Sequence, residues 1–181
     1  MIITISGRPG SGKSVVASAV ADALGMPHVS AGDFMRQIAA ERGLSILELS
    51  RSAEGHAAID NEIDARTVRL AEEGGDFVMD ARLGWHFIPG SFKVFLEVRP
   101  DVAANRIFGA GRGVERENVT LESTRAAIDR RTESERRRYL QYYGLDYTDH
   151  SQYDLVIDTS DVTVGEVTAE IVAQVGQTRS G

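Results

Sequence analysis

Residues 7–14 have the sequence Gly-Arg-Pro-Gly-Ser-Gly-Lys-Ser, which matches the pattern G-x-x-x-x-G-K-[ST] in full. The short β-branched segment Met1–Ser6 before it predicts a buried strand, and Gly12–Leu24 after it has the apolar spacing of a helix. A glycine-rich loop in this setting turns its backbone N–H groups inward, and the helix N-terminus adds partial positive charge. The stretch therefore predicts a phosphate-binding P-loop between a strand and a helix.

Two side chains of this loop predict binding of a nucleoside triphosphate and a metal ion. Lys13 can reach the β- and γ-phosphates, and the Ser14 hydroxyl can bind Mg²⁺. A glycine-rich turn that binds nothing is the alternative, and the agreement of strand, loop and helix makes it much less consistent with the sequence. The residues predicted to contact the nucleotide are Gly7, Pro9, Gly10, Ser11, Gly12, Lys13, Ser14 and Val15.

Strands and helices alternate along the rest of the chain. This alternation predicts one α/β domain, residues 1–181, with a largely parallel sheet. We expect a small helical subdomain at 33–73, a loop at 83–89 and a frayed tail at Gly176–Gly181. Strands are predicted at Met1–Ser6, His28–Ser30, Asp76–Ala81, Phe92–Val98 and Leu155–Asp158, and helices at Gly12–Leu24, Asp33–Arg42, Ser45–Glu54, Ala57–Glu73, Pro100–Phe108, Leu121–Tyr142 and Thr163–Val175.

The composition excludes several classes of protein. With 181 residues, 42% of them hydrophobic and 26% charged, the chain can bury a core and is not expected to be disordered. It has no cysteine, which excludes disulfides and thiolate metal sites. We find no secretion signal and no apolar run long enough to cross a bilayer, so a cytoplasmic location is expected. The net charge of −7 disfavours non-specific binding to nucleic acid or to membranes.

The positive charges are concentrated in one region. Nine arginines lie between Arg106 and Arg138, and Lys13 and Lys93 are the only lysines of the chain. Arginine offers a planar fork of donors that suits phosphate and carboxylate. The cluster fits a protein with a small anionic substrate, but on composition alone a solvated helix with internal ion pairs to Glu133 and Glu135 is the favoured interpretation.

Two short stretches could help to hold such a substrate. Ser30, Asp33 and Arg36 follow a short strand, although Asp33 could equally cap a helix and Arg36 could lie on the surface. Asp80 and Arg82 lie at the carboxyl end of another strand, and ligands of open α/β sheets bind beyond such ends. Asp80 could polarise a water bound to Mg²⁺ and Arg82 could grip a phosphate, unless the stretch forms only an ordinary ion pair.

The third candidate stretch is the arginine-rich connection and the helix after it. Phosphoryl transfer needs positive charge on the moving group, often supplied by a segment that closes over the site. A kinase for a small acceptor fits this chain better than a guanine-nucleotide switch, because the Asn-Lys-x-Asp element of such switches is missing from the sequence. The arginines of this stretch that we consider are Arg106, Arg112, Arg116, Arg131 and Arg138.

Taken in order, these motifs resemble those of cytidylate kinases, particularly the short archaeal-type branch. The resemblance covers about residues 1–172. It rests on the P-loop, Ser-Ala-Gly-Asp at 30–33, Asp-x-Arg at 80–82, the run Arg131-x-x-Ser134-Glu135-x-x-Arg138-Tyr139-x-x-x-Tyr143-Gly144-x-Asp146, and Tyr153-Asp154-Leu155-Val156-Ile157-Asp158-Thr159.

The resemblance implies a Mg²⁺-dependent enzyme that transfers phosphate from ATP to CMP or dCMP. It implies the nucleoside monophosphate kinase fold, with three α/β/α layers, five parallel strands, an acceptor-binding subdomain at 33–73 and a lid with an arginine-rich helix at about 106–138. We therefore expect small-molecule nucleotides as partners and a monomeric protein. It implies catalytic roles for Lys13, Arg82, Arg131 and Arg138, Mg²⁺ binding by Ser14 and through water by Asp80, and acceptor binding by Ser30, Asp33, Arg36, Asp80, Arg82 and Glu135.

Two departures from the family pattern keep other acceptors open. Ala81 precedes Arg82 where the family commonly has glycine, and Trp85 and Phe87 belong to an aromatic insertion within 83–89. These two rings could stack on a base, but packing of the loop is the favoured interpretation. The alternatives are a kinase for AMP, UMP, a modified nucleotide or a small metabolite, and a regulatory module that binds nucleotide without turnover.

Overall fold

A five-stranded parallel sheet forms the centre of the computed structural model, which describes residues 1–45, 48–49, 58–110 and 120–180. The order of the strands across the sheet is β2-β3-β1-β4-β5. The first strand therefore lies in the middle, and the sheet confirms the predicted α/β fold. The strands are β1 Ile2–Gly7, β2 His28–Ser30, β3 Phe77–Asp80, β4 Phe92–Glu97 and β5 Leu155–Asp158.

Helices cover both faces of this sheet. On one face, Ile3 and Ile5 of β1 pack against Val16 and Val20 of the first helix and against the last helix. On the other face, Phe95 of β4 packs among Leu83, Trp85, Tyr139 and Tyr147. The helices are α1 Lys13–Leu24, α2 Ala31–Glu41, α3 Ala58–Glu73, α4 Gly84–Phe87, α5 Pro100–Gly109, α6 Leu121–Tyr143 and α7 Val164–Ser180, and a 3₁₀ turn covers His150–Gln152.

The position of β1 creates the crevice in which a ligand can bind. Its neighbours are β3 on one side and β4 on the other. After β1 the chain forms β2 and β3 on the first side, and it then crosses to form β4 and β5 on the opposite side. In open α/β sheets, ligands bind beyond the carboxyl ends of the strands at such a switch point. The P-loop begins at this end of β1, and Asp80 is the last residue of β3 at the same end.

Three local predictions differ from the structure. The last helix α7 continues through Gly176 to Ser180, where the sequence predicted a frayed tail. Val167, Ile171 and Val175 form one buried stripe that anchors the helix up to this end, and the Thr178 hydroxyl donates to the carbonyl oxygen of Gln174 within the added turn. Residues 84–87 form the short helix α4, inside a segment predicted as a loop. Ala31 already lies in α2, because Ser30 and Asp33 form a capping box around its first turn.

Some predictions fall on residues that the structure does not describe. Ser45 and Glu48 make the hydrogen bonds of the predicted capping box, but most of the helix predicted to follow them lies outside the described residues. The predicted site residues Arg112 and Arg116 also lie outside the described residues. Among the described helices, none is long and apolar enough to cross a membrane.

Candidate functional site

The P-loop joins β1 to α1 in the geometry that phosphate binding requires. Gly10 and Gly12 have positive φ angles of 82° and 84°, which side chains rarely adopt. A Cβ atom on Gly10 would lie 2.8 Å from the backbone of Ala103 in α5, so the loop packs directly on that helix. In the described part of the chain, the amides of Gly12, Lys13 and Ser14 donate to no backbone carbonyl. They are free to bind an anion at the N-terminus of α1.

The side chains of the loop also fit a phosphate group and a cation. Ser11 has a buried hydroxyl that hydrogen-bonds to no described residue. Ser14 and Val15 are the first exposed residues of α1, so the Ser14 hydroxyl is accessible as an oxygen ligand for a cation. Within the described ranges, no group of three His, Asp or Glu residues could hold a metal by itself. A cation here would depend on the phosphates of its nucleotide.

Lys13 forms an ion pair with Asp80 at the end of β3. The side chains are 16% and 3% exposed, so the pair is nearly enclosed. Burial lowers the pKa of the Lys13 ammonium well below its usual value and nearby Arg82 lowers it further, while the charge of Glu135 opposes both effects. The predicted phosphate ligand and the predicted metal-site carboxylate therefore contact each other, and a bound triphosphate would compete with Asp80 for this ammonium.

Arg82 connects the P-loop to α6. Its Nη1 donates to the carbonyl oxygen of Gly7 at 2.8 Å, and its Nε donates to Oε2 of Glu135 at 2.8 Å. Glu135 also accepts from Nε of Arg131 at 3.0 Å and from the hydroxyl of Tyr147 at 3.3 Å. Burial disfavours the charged form of Glu135, but Arg82 and Arg131 outweigh this effect and lower its pKa to about 2. The structure thus brings three predicted site residues into one network.

A cavity of about 110 Å³ lies beside Arg82, between α3, α4 and α6. Its walls combine apolar and aromatic side chains with two carboxylates of α3, Asp60 and Asp64. Such a mixture is typical of a pocket for an organic ligand that carries a few polar groups. The residues that line it are Ala31, Asp60, Ile63, Asp64, Thr67, Ala81, Arg82, Leu83, Gly84, Phe87, Tyr139 and Tyr143.

Arg138 reaches towards this cavity from α6. Its Nε lies 3.4 Å from Oδ2 of Asp60, but both atoms are buried and neither hydrogen-bonds to a described residue. The guanidinium lies over the ring of Tyr139, 5.2 Å from its centre. Burial raises the pKa of Asp60, while Arg138 opposes the rise. The ion pair with Asp60 and the contact with Tyr139 thus hold Arg138 beside the wall of the cavity.

The first candidate stretch lies at the start of α2 and serves the helix itself. Oδ2 of Asp33 accepts from the backbone N–H of Ser30 at 3.2 Å and from its hydroxyl at 2.8 Å, and Asp33 also pairs with Arg36. The hydrogen bond with Ser30 is the largest cause that lowers the pKa of Asp33. The side chain of Arg36 is 58% exposed. Asp33 therefore caps the helix, and acceptor binding by this stretch stays a prediction.

The aromatic insertion separates into a packing residue and a cavity residue. Trp85 is buried and meets the ring of Tyr153 edge-on at 5.5 Å, which agrees with the predicted packing role. Phe87 meets Tyr143 edge-on at 5.7 Å and also lines the cavity. The methyl group of Ala81 lies in the same wall. Phe87 and Ala81 thus help to shape the wall of this cavity.

The sequence analysis missed four residues of this region. Asp60 and Asp64 lie four positions apart on a helix that it treated only as amphipathic, and this spacing places both on one face. Tyr143, whose hydroxyl donates to Asp64, appeared only within a family motif. Thr159 also appeared only within a family motif; it donates to the Ser11 carbonyl at 3.0 Å and accepts from Arg106 at 3.0 Å, which ties the segment after β5 to the P-loop. The contact between Thr159 and Ser11 joins residues that lie 148 positions apart, so no periodic pattern in the sequence indicates it.

A second cavity, of about 360 Å³, lies between the start of the P-loop, α5 and α6. Its wall includes Glu97, Asp129 and Glu133, with Arg8 as the basic residue. Nε of Arg8 already donates to Glu97 at 2.5 Å. Three carboxylates around one paired arginine repel phosphate groups, so the amides and Lys13 provide the better anion site.

Comparisons with known proteins agree with this geometry. Residues 2–161 match the model of the cytidylate kinase-like family. The chain is 45% identical over 160 residues to a protein named cytidylate kinase from Methanothermobacter thermautotrophicus, covering 88% of this chain and 96% of that protein. It is 43% identical over 159 residues to a cytidylate kinase from Methanothrix thermoacetophila, covering 88% of each chain.

A solved structure supports the fold independently of close sequence similarity. Shikimate kinase from Bacteroides thetaiotaomicron superimposes with a TM-score of 0.68 at 15% identity, covering 97% of this chain and 98% of that one. This likeness confirms the three-layer P-loop kinase fold. The family match and the identities confirm the predicted resemblance over most of the chain. The chain therefore belongs to the cytidylate kinase-like family of enzymes.

Proposed function

We propose that this chain transfers the γ-phosphoryl group of ATP to CMP or dCMP, in the presence of Mg²⁺, and releases ADP with CDP or dCDP. The observation that carries the proposal is the position of Arg82. One edge of its guanidinium binds the P-loop carbonyl of Gly7, and the side chain also lines the 110 Å³ cavity. A single cation therefore lies between the donor loop and a pocket for the acceptor, where phosphoryl transfer develops negative charge.

The donor phosphates fit the P-loop. The free amides of Gly12, Lys13 and Ser14 and the unpaired hydroxyl of Ser11 supply hydrogen-bond donors. Lys13 would exchange Asp80 for the β- and γ-phosphates, which leaves the carboxylate of Asp80 available to a water on Mg²⁺. Mg²⁺, when bound with the Ser14 hydroxyl, neutralises charge on the phosphates. These roles explain why the loop keeps a buried lysine that burial alone disfavours.

The acceptor fits the cavity, with its phosphate directed towards the arginines. Arg131 and Arg138 belong to α6, Arg82 follows β3, and Glu135 of α6 binds both Arg82 and Arg131. During transfer, a phosphate oxygen of the acceptor bonds to the γ-phosphorus while the bond from that phosphorus to the bridging oxygen breaks. Positioning and charge neutralisation supply the catalysis, so no covalent intermediate is needed.

The proposal includes the acceptor-binding subdomain and the lid predicted from the sequence. The helices α2 and α3, which carry Asp33, Arg36, Asp60 and Asp64, would belong to the acceptor-binding subdomain at 33–73. Arg131, which pairs with Glu135, would belong to the lid and arginine-rich helix at about 106–138. A monomeric state and a cytoplasmic location stay predictions from the sequence.

Cytidylate is the proposed acceptor because the most similar proteins carry that name. Relatives at 45% and 43% identity are both called cytidylate kinases, and each alignment covers most of both chains. Ala81 and Phe87 in the cavity wall are the residues that could move the specificity to another base. AMP, UMP and a metabolite alcohol are therefore included in the test.

The test measures ADP release from MgATP with each acceptor and with an acceptor-free blank. We expect release with CMP and dCMP well above the blank, and its loss in Lys13→Ala. Lys93→Ala is the matched control, because Lys93 is the other lysine of the chain and lies in β4, away from the P-loop. Turnover only with another acceptor would contradict the cytidylate assignment. Nucleotide binding without acceptor-dependent turnover would instead indicate a regulatory module.

A further inference from the structure

The cavity beside Arg82 has a carboxylate in its wall that the proposed transfer reaction does not use. Asp64 lines this cavity from α3, and its Oδ2 accepts a hydrogen bond from the hydroxyl of Tyr143 on α6. Its other oxygen, Oδ1, hydrogen-bonds to no described residue. Tyr143 is itself held by edge-on contact with Phe87. One oxygen is therefore fixed and the other is available to a ligand.

The surroundings of Asp64 suit a flat ring with a polar edge. Phe87, Ile63 and Leu83 supply apolar and aromatic surface in the same cavity, and Arg82 lies at the side nearest the P-loop. A nucleotide with its phosphate near Arg82 would direct its base into the cavity. A planar base is bound by apolar surface on its faces and by a few polar groups at its edge.

We propose that Asp64, held in place by Tyr143, accepts a hydrogen bond from the exocyclic amino group of the acceptor base, and that this contact selects cytosine against uracil. The inference rests on the proposed function, since it assigns the base-recognition residue within that site. Asp64 would be a specificity-determining residue, and Tyr143 a positioning residue that acts through it.

The two pyrimidines differ at the atom that this contact would recognise. Cytosine presents an N4 amino donor, whereas uracil presents an O4 acceptor. An ionised carboxylate has no proton to donate, so it binds the amino group and repels the oxygen. A specific contact of this kind is worth about 5- to 150-fold in discrimination.

The charged and titratable groups around Asp64 make this discrimination depend on pH. Burial raises the pKa of Asp64 to about 6, with Asp60 on the same helix adding to the rise. From α6, the Tyr143 hydrogen bond and the charge of Arg138 act in the opposite direction, and Tyr139 faces the same cavity. Arg82 faces it from the end of β3, while α2 and α4 line it with the uncharged Ala31, Gly84 and Phe87. The helix α4 also carries the titratable His86, whose ring lies 6.4 Å from that of Tyr143 and whose pKa is lowered by burial.

The protonated carboxyl group would behave differently towards the two bases. Below pH 6 its O–H can donate to O4 of uracil, so the repulsion disappears. The ratio of kcat/KM for CMP to that for UMP should therefore rise as the pH is raised through about 6 and then level off. The titration of the nucleotide phosphate is common to CMP and UMP and cancels from the ratio.

The experiment measures this ratio between pH 5 and 8 for the wild-type chain and three variants. In Asp64→Asn, the amide oxygen can keep the Tyr143 bond while the amide N–H₂ faces the base, so we expect the ratio to fall about 5- to 150-fold and to lose its pH dependence. In Tyr143→Phe, loss of the hydrogen bond should move the midpoint to higher pH. Glu72→Gln is the control, because it makes the same chemical change at an exposed position of α3.

Each outcome decides a separate question. A wild-type ratio that is constant across this pH range, or an Asp64→Asn ratio equal to that of the wild type while CMP is still phosphorylated, overturns the assignment of Asp64 and leaves the proposed function standing. A wild-type chain that phosphorylates neither pyrimidine overturns both. The wild-type pH profile requires no variant, so it decides the question even if Asp64→Asn does not fold.

Discussion

Arg82 and Glu135 form a nearly enclosed ion pair, with 14% and 12% of their side chains exposed and 2.8 Å between Nε and Oε2. The pair joins the end of β3 to the middle of α6, 53 residues further along the chain. A buried pair of this kind contributes little net stability when it is intact, but removal of one partner leaves the other charged and unpaired. It therefore orients the arginine more than it stabilises the fold.

Replacement of Arg82 by lysine should lower kcat/KM for the acceptor by about 10²- to 10³-fold, the usual effect of removing one donor that stabilises the transition state. Lysine keeps the charge but cannot bind Gly7 and Glu135 through two directed N–H groups at once. Steady-state kinetics with CMP, compared with the exposed control Arg69→Lys on α3, would measure the effect. Equal kinetics in the two variants would remove Arg82 from the site.

Substitutions in the Lys13–Asp80 ion pair should affect nucleotide binding and the free energy of unfolding in different ways. Lys13→Ala removes the phosphate ligand and leaves Asp80, which is 3% exposed, without its partner. We expect weaker MgATP binding and a lower free energy of unfolding, because an unpaired buried carboxylate is costly. In Lys13→Ala/Asp80→Asn the stability should recover while ATP binding stays weak. Urea unfolding and ATP titration measure the two effects, and recovery of both would contradict the P-loop role of Lys13.

The pKa of Glu135 predicts a loss of stability in acid. Arg82 and Arg131 lower it to about 2 against the effect of burial, so the folded state binds this proton less readily than the unfolded chain. The contribution of Glu135 is complete above its unfolded pKa, about 4.3, and is lost as the pH falls towards 2. In Glu135→Gln, the free energy of unfolding should be lower at pH 6 and should depend less on pH in this window.

Urea unfolding of the wild type, Glu135→Gln and Glu133→Gln at pH 3 and pH 6 tests this prediction. Glu133 lies two residues away on α6 and its side chain is 49% exposed, so its pair with Arg137 should contribute about 0.5 kcal/mol or less. We expect the free energy of unfolding to fall less between pH 6 and pH 3 in Glu135→Gln than in Glu133→Gln. An equal fall in the two variants would contradict the prediction.

The sequence predicts the parts of the site that depend on local chemistry. Gly10, Gly12, Lys13 and Ser14 follow from a motif whose spacing is set by backbone geometry, and the positive φ angles of both glycines agree with it. The strands follow from short apolar runs, because a central parallel strand is buried on both faces. Asp80 follows from its place at the carboxyl end of a strand.

The rest depends on contacts between distant segments, which one sequence does not encode as a pattern. Glu135 contacts Arg82 across 53 residues, and Tyr143 contacts Asp64 across 79. The role of Asp33 could not be decided either, because a capping carboxylate and a substrate-binding carboxylate occupy the same position at the start of a helix. The short helix α4 has four residues, too few to show a helical period.

Alanine substitutions at Gly176 and Gly144 should change the free energy of unfolding in opposite directions. Gly176 lies inside the helix with a φ outside the left-handed range, and an added Cβ would meet nothing within 4 Å. Gly176→Ala should therefore raise the free energy of unfolding by about 0.5–1 kcal/mol. Gly144 ends α6 with a φ of +69°, so Gly144→Ala should lower it despite equally open space. Urea unfolding of both variants distinguishes an ordered α7 from a frayed tail, since alanine in a frayed segment would leave the stability unchanged.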